Sequence, residues 1–176
     1  TEWFCNDDAI SSVLLAWQGG MEGGTATAEL LCGIGNPSGK LSDTFAKRLE
    51  DYPSSYNFHE SKEYVDYTED IYVGYRYYDK AGVAVRWPFG HGLSYTEFAY
   101  ADLKALDGTV SVTVTNTGVC AGAEVVQLYV ATGREDAPVR ELKAFQKAKF
   151  AEAARDLLDY LDQFIESIHK YYGMYI

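Results

Sequence analysis

Residues 64–100 read YVDYTEDIYVGYRYYDKAGVAVRWPFGHGLSYTEFAY, and the rest of the chain is organised on either side of this tyrosine-rich stretch. It holds two phrases of unusual composition, DIYVGYRYYD and WPFGHGLSYTEF, in which glycines separate aromatic side chains. A tyrosine has a large apolar ring and one polar hydroxyl, so a cluster of tyrosines needs both a core and hydrogen-bond partners. Gly74, Gly90 and Gly92 permit close backbone approach or a positive φ angle beside those rings. We therefore interpret residues 64–100 as a junction between two parts of the chain.

The overall composition describes a globular protein with an excess of aromatic residues. The chain has 176 residues, of which 47% are hydrophobic and 15% aromatic. Its formal net charge of -11 argues against a nucleic-acid or anionic-membrane partner, because phosphate groups are bound by clustered Lys and Arg. No apolar run reaches the about 20 residues that a membrane-spanning helix needs. The sequence therefore predicts neither a nucleic-acid partner nor a membrane partner.

The cysteines and the first residue bear on the compartment and on completeness. Cys5, Cys32 and Cys120 are an odd, scattered set without a Cys-x-x-Cys pair, which predicts buried free thiols in a reducing compartment and favours a cytoplasmic location. The chain starts at Thr1, with no initiator Met and no charged-then-apolar leader. We expect it to be a piece of a longer protein or a mature product.

Before the junction, the pattern is typical of an α/β layer. Residues 9–17 (AISSVLLAW) form a short apolar run, which predicts a strand buried on both faces of a parallel sheet. Residues 25–32 are rich in helix formers and are followed by Gly33, which predicts a helix and its end. Residues 40–45 alternate and predict a second strand. Residues 46–70 are long and polar, and we expect a loop that lies over a neighbouring surface.

Two candidate ligand sites in this half do not match a known pattern. The pairs Gly19-Gly20 and Gly23-Gly24 lack both the phosphate-loop and the dinucleotide spacing, so they predict tight strand-to-helix packing instead. His59 with Glu60 and Glu63 does not have the ligand spacing of a zinc site, so we expect a solvated histidine. No metal site or cofactor site is predicted.

After the junction, the pattern changes to that of an antiparallel sheet. Residues 109–115 (TVSVTVT) alternate strictly between Val and Ser/Thr, which predicts a half-exposed strand. Residues 124–131 and 140–150 predict two further strands. Together they indicate the start of a β-sandwich.

The last segment has a different period. Residues 151–172 place apolar side chains on one helical face, which predicts an amphipathic helix that ends at Gly173. The apolar positions are Leu157, Leu158, Leu161, Phe164, Ile165, Ile168, Tyr171 and Tyr172. Such a stripe needs a partner surface, so we expect this helix to dock another domain or a second copy of the chain.

Taken together, these phrases resemble glycoside hydrolase family 3, the β-glucosidase type. The resemblance covers roughly residues 9–149, in the order of the family, and it is specific because the phrases occur jointly. The matching phrases are LLAWQ (14–18), EGG (22–24), NPSGKL (36–41), TF (44–45), DIYVGYRYYD (70–79), PFGHGLSY (88–95), VTVTNTG (112–118), AEVVQLYV (123–130), RELK (140–143) and Phe145.

The resemblance implies an architecture and an activity. Residues 1–86 are similar to the C-terminal part of the family's α/β sandwich domain. Residues 87–150 are similar to the linker and first strands of its fibronectin type III-like domain, whereas residues 151–176 match no part of it. The implied activity is a β-glucosidase that removes terminal β-linked sugars by a retaining mechanism, without a cofactor.

No residue of this chain inherits a catalytic role from the resemblance. A retaining glycosidase uses two carboxyl groups about 5–5.5 Å apart. The family's nucleophile lies in a Ser-Asp-Trp-like motif of a barrel domain, and its acid/base Glu lies upstream of the segment that matches residues 9–17; neither motif occurs here. Glu22, Glu29, Glu69 and Asp70 are therefore expected to be ordinary surface or junction carboxylates. The substrate, a β-glucoside or oligosaccharide, is expected to bind through the barrel domain outside this chain.

Two other functions stay open at this point. In one, Trp3, Trp87 and the tyrosines stack on sugar rings, so that the chain is a non-catalytic carbohydrate-binding module. In the other, the helix predicted for residues 151–172 makes the chain an assembly module. For the aromatic rings, we expect packing in the core or in the junction.

Overall fold

The computed structural model describes residues 2–151, 155–159 and 173–175. The helices are α1 (Glu2–Cys5), α2 (Gly23–Leu31) and α3 (Tyr75–Ala81), with short 3-10 turns at Leu49–Asp51 and Pro53–Tyr56. The strands are β1 (Phe45–Ala46), β2 (Val85–Trp87), β3 (Phe98–Leu106), β4 (Thr109–Asn116), β5 (Gly122–Ala131), β6 (Glu141–Phe150), β7 (Arg155–Asp159) and β8 (Gly173–Tyr175).

The strands form small antiparallel sheets. β1 pairs with β2, while two three-stranded sheets have the orders β3-β4-β7 and β6-β5-β8. One apolar cluster contains side chains from both three-stranded sheets: Phe98, Val112, Val114, Val126, Ala148 and Phe150. The core of the chain therefore lies after the junction.

The three strands predicted after the junction are confirmed as β4, β5 and β6. In β4, the apolar positions Val110, Val112 and Val114 are all buried, as the alternation predicts. β3 was not predicted, and its residues 99–106 are exposed, so no buried apolar face marks this strand. β3 forms through its backbone pairing with β4.

The helix predicted for residues 151–172 is wrong at Arg155–Asp159, which forms β7. This strand pairs with β4, from Ser111 opposite Asp159 to Thr115 opposite Arg155. An unpaired strand edge offers backbone donors and acceptors, and this tertiary pairing overrides the helical pattern. Residues 160–172, which hold the rest of the predicted helix, lie outside the described residues. Docking of a partner through residues 151–172 stays a prediction.

The α/β layer predicted before the junction is only partly present. The predicted helix is confirmed as α2, but residues 10–17 have no regular structure, and Trp17 is 66% exposed. A parallel strand is held by its neighbours, and the described residues contribute none beside residues 10–17. The strand predicted at 40–45 is reduced to β1, which pairs antiparallel with β2.

The cysteines are free thiols, but they are not buried as predicted. Cys32 is exposed, and Cys5 and Cys120 are partly exposed. Cys32 follows α2, a helix without buried residues, so no core encloses its thiol. In the described part of the chain, no helix has the length and apolarity required to cross a bilayer.

Candidate functional site

The four carboxylates considered as catalytic candidates lie at two separate places in the structure. Glu22 precedes α2 and accepts a hydrogen bond from Thr25 Oγ1 at 3.2 Å, while Glu29 lies within that helix. Glu69 and Asp70 lie in the turn before α3, where Asp70 has a φ angle of 51° and Glu69 is partly buried.

The sequence also offered a candidate metal site and two glycine pairs. His59, Glu60 and Glu63 are exposed, and the residues that the structure describes contain no group of His, Cys, Asp and Glu suited to hold a metal ion. The tight packing predicted for the two glycine pairs is present at Gly19, where a Cβ atom would lie 2.9 Å from the Gly23 Cα, but it is wrong for the other three, since a Cβ atom at Gly20, Gly23 or Gly24 would meet no atom within 4 Å.

Trp87 is surrounded by other aromatic rings. Its ring centroid lies 5.8 Å from Phe45, 6.2 Å from Phe4 and 6.5 Å from His91. Such a ring is engaged in packing rather than open for sugar stacking. The side chain of Trp3 lies outside the described part of the chain.

Long-range hydrogen bonds and ion pairs join residues 36–41 and 75–96 to each other and to the β-sheets, and we call this region the joint. At its centre, Lys40 Nζ lies 3.1 Å from Glu124 Oε1, and both side chains are largely buried, with 15% and 11% exposed. The same ammonium donates to the Gly92 carbonyl at 2.8 Å. The Tyr100 side chain is 42% exposed, but the partial burial of its hydroxyl raises the pKa of that group, and the charge of the neighbouring Glu124 raises it further.

The backbone around this ion pair approaches closely. Leu41 N–H donates to the His91 carbonyl, and Gly90 N–H donates to the Leu41 carbonyl, both at 2.8 Å. A Cβ atom at Gly92 would overlap the Gly39 carbonyl oxygen. The glycine is therefore required by close approach, as expected for the PFGHGLSY phrase.

Asn36 connects the same segments through its side-chain amide. Its Oδ1 accepts hydrogen bonds from Ser94 Oγ and from Tyr95 N–H, both at 2.9 Å. Its Nδ2 donates to the Ala121 carbonyl at 2.9 Å, just before β5. One side chain thus ties three separate parts of the chain together.

Asn116, at the end of β4, is the equivalent anchor inside the sheets and is only 1% exposed. Its Oδ1 accepts from Thr96 Oγ1 at 2.6 Å, and its Nδ2 donates to the carbonyls of Cys120 at 2.9 Å and Ala151 at 3.0 Å. A buried amide with this many partners fixes the geometry of its loops.

Helix α3 forms the other side of the joint. It lies between Gly74 and Gly82, which have φ angles of 58° and 65°. Asp79 Oδ2 lies 2.8 Å from Arg140 Nε, and the Arg140 guanidinium lies 4.9 Å from the centre of the Tyr129 ring. The hydrogen bond that Arg140 donates to Asp79 raises the pKa of Arg140.

These contacts decide what the joint can do chemically. Glu124 is paired with Lys40, and Asp79 with Arg140. Both carboxylates are thus engaged in ion pairs that connect segments of the chain. The geometry describes a structural joint. Asn36, Lys40 and Asn116 were not among the residues predicted to be functional, although they lie within the NPSGKL and VTVTNTG phrases.

Comparison with known proteins identifies the family. A model of the glycosyl hydrolase family 3 C-terminal domain matches residues 1–95, which is more than half of the chain. The chain belongs to glycosyl hydrolase family 3. The resemblance drawn from the sequence phrases is thereby confirmed.

The family 3 relatives are considerably longer than this chain. β-Glucosidase A of Butyrivibrio fibrisolvens is 48% identical, over 97% of this chain but 24% of its own length. The structure of β-glucosidase 3B from Thermotoga neapolitana superposes with a TM-score of 0.79 at 44% identity, over 87% of this chain and 23% of its own. A β-glucosidase of Bifidobacterium adolescentis gives a TM-score of 0.75 at 40% identity, over 82% of this chain and 22% of its own.

The match to the Butyrivibrio relative also reaches the last segment. Because it covers 97% of the chain, it extends into residues 151–176, for which the sequence phrases provided no counterpart.

Proposed function

We propose that this chain is the joint-bearing part of a β-glucosidase that removes terminal β-linked sugars by a retaining mechanism. The observation that carries the proposal is the 48% identity to β-glucosidase A over nearly the whole chain, combined with coverage of only 24% of that relative. The catalytic carboxylates then lie outside these residues, in agreement with the pairing of Glu124 and Asp79 with cations.

The same proposal assigns the parts of the chain. Residues 1–86 complete an α/β sandwich domain, and residues 87–150 start a fibronectin type III-like domain. The shared apolar cluster between the two three-stranded sheets supports the second assignment, because a fibronectin-like sandwich buries the inner faces of two antiparallel sheets. The exposed apolar side chains of residues 10–17 support the first, since such a segment fits packing against further parts of a larger domain.

In this proposal, the chain contributes orientation rather than chemistry. The contacts of Asn36, Lys40 and Arg140 hold the α/β part and the β-sheets in a fixed arrangement. A misplacement of about 1 Å at an active site can lower the rate of catalysis about 100-fold, so such a joint affects activity from a distance.

The test is a direct comparison of two proteins on an aryl β-glucoside. The full-length polypeptide that contains this chain is expected to hydrolyse it, and NMR of the fresh product should show retention of the β-configuration. The 176-residue chain alone is expected to be inactive. Turnover by the chain alone at the rate of the full-length protein would show that catalytic residues lie within it. A full-length protein without activity on β-linked sugars would refute the proposal itself.

A further inference from the structure

A groove of about 300 Å³ opens beside α3. This volume lies at the lower end of the roughly 300–1,000 Å³ typical of small-molecule pockets. Its wall is mostly apolar, with a few charged and hydroxyl groups. The residues that shape it are Thr68, Glu69, Tyr72, Tyr77 and Lys80.

One wall of the groove is built by α3. Tyr77, Lys80 and Ala81 are spaced i, i+3 and i+4, so their side chains lie on the same face of the helix. The ring of Tyr77 meets the buried Tyr78 ring edge-on at 5.2 Å, which holds it in place. This wall is therefore fixed by the helix and its core contact.

The opposite wall is a short turn. Tyr72 N–H donates to the Glu69 carbonyl at 2.9 Å, which closes the turn and places both side chains in the groove. The two walls are joined through Gly74, whose positive φ angle lets the chain enter α3 directly after the turn.

Several polar groups of the groove have unused hydrogen-bonding capacity within the described residues. Within the described ranges, the Glu69 carboxylate and the hydroxyls of Tyr72 and Tyr77 have no hydrogen-bond partner in the protein. Lys80 Nζ donates to the Glu135 carbonyl and retains two further N–H donors.

The groove contains one carboxylate, of Glu69, and one ammonium group, of Lys80, and together they restrict the chemical class of ligand that can bind. A carboxylate disfavours an anion such as phosphate, and an ammonium group disfavours an organic cation. A neutral molecule with apolar faces and many hydroxyls suits both groups, since its hydroxyls can donate to Glu69 and accept from Lys80. A sugar ring has this chemistry, and its C–H face packs on tyrosine rings.

We propose that this groove is a non-catalytic binding site for one sugar unit of a neutral oligosaccharide. The choice of a β-linked glucose oligosaccharide as the probe rests on the proposed function. Such a site would retain the oligosaccharide near the enzyme without taking part in hydrolysis.

The experiment is an NMR titration of the ¹⁵N-labelled 176-residue chain with cellotetraose. A Kd of about 1 mM is expected, with shift changes concentrated in residues 68–81. Tyr72→Ala and Tyr77→Ala should each weaken binding about tenfold, which corresponds to about 1.4 kcal/mol. Tyr64→Ala is the matched control, because Tyr64 is 60% exposed in the preceding loop and does not line the groove.

Glu69→Gln and Lys80→Met provide a second pair that removes a charge and preserves the fold, and each should weaken binding severalfold. The absence of shift changes up to about 10 mM cellotetraose would overturn the proposal. Binding that the groove variants leave unchanged, or that Tyr64→Ala weakens equally, would overturn it as well. Hydrolysis by the full-length polypeptide is measured separately, so that a failure of this inference is distinguishable from a failure of the proposed function.

Discussion

Replacing Lys40 with methionine would leave Glu124 without its cation in the centre of the joint. Lys40 Nζ lies 3.1 Å from Glu124 Oε1 and 2.8 Å from the Gly92 carbonyl, so the substitution removes one ion pair and one hydrogen bond. The methionine side chain is apolar and of similar length, so it fills most of the same space. The remaining partner of the carboxylate is the Tyr100 hydroxyl.

The size of the expected loss of stability follows from the burial of the Lys40–Glu124 pair. Breaking a fully buried ion pair costs about 3–5 kcal/mol, whereas an exposed pair contributes less than about 1 kcal/mol. The two side chains are 15% and 11% exposed, which places this pair nearer the buried limit. We therefore expect Lys40→Met to lower the free energy of unfolding by about 2–4 kcal/mol, a loss of roughly 5–15 °C in Tm.

Urea unfolding followed by circular dichroism measures this change. In the double variant Lys40→Met/Glu124→Gln, no charge is left unpaired, so the loss should be smaller than the sum of the two single losses. Asp136→Asn is the control, because the Arg134–Asp136 pair is 68% exposed on both sides and its loss should leave the midpoint unchanged. A Lys40→Met variant as stable as the control, or strictly additive single effects, would refute the reasoning.

Three further expectations concern the joint and α3. Gly92→Ala forces a Cβ atom onto the Gly39 carbonyl oxygen and should cost about 1–3 kcal/mol in urea unfolding, whereas Gly39→Ala has open space and should cost far less. Burial raises the pKa of Tyr78 from 10.0 to about 12, so the folded state favours the protonated hydroxyl. The free energy of unfolding should therefore decrease as the pH rises from 10 towards 12, and this decrease should be smaller in Tyr78→Phe when unfolding is measured across that pH range. Arg140→Lys loses the two contacts to Asp79 at 2.8 and 3.5 Å and should lower the free energy of unfolding by about 1 kcal/mol, measured as a Tm shift; an unchanged Tm would contradict the role given to that pair.

The sequence predicted the second half of the chain better than the first, for a physical reason. The alternation of Val110, Val112 and Val114 is a local property, and β4 needs little more than this pattern and its antiparallel neighbours β3 and β7. Residues 9–17 have an equally apolar pattern, but a parallel strand depends on neighbours from distant parts of a chain. The pattern alone does not show whether those neighbours are present.

At residues 155–159, the sequence pattern predicted the wrong secondary structure. Leu157 and Leu158 fit the helical stripe, yet their backbone pairs with Thr113 and Val112 of β4. Amphipathic spacing does not report the presence of an open strand edge, and here the edge decides the structure.

The polar contacts of the joint were beyond prediction because they join residues that are far apart in the sequence. Asn36 and Ser94 are separated by 58 residues, and Lys40 and Gly92 by 52. The family phrases contain these residues, but they do not say which atoms meet.

The joint also constrains how the two parts of the chain that it connects can move. For residues 36–41 to separate from the β-sheets, the Lys40–Glu124 pair and the Asn36 bonds to Tyr95 and Ala121 would have to break together. Each of these groups would then lose its partner while still partly buried, and an unpaired buried polar group costs about 1–3 kcal/mol, with more for a charge. These interactions lie in one small region, so breaking only some of them would separate little of the two surfaces. We therefore expect residues 36–41 and the β-sheets to move as one body.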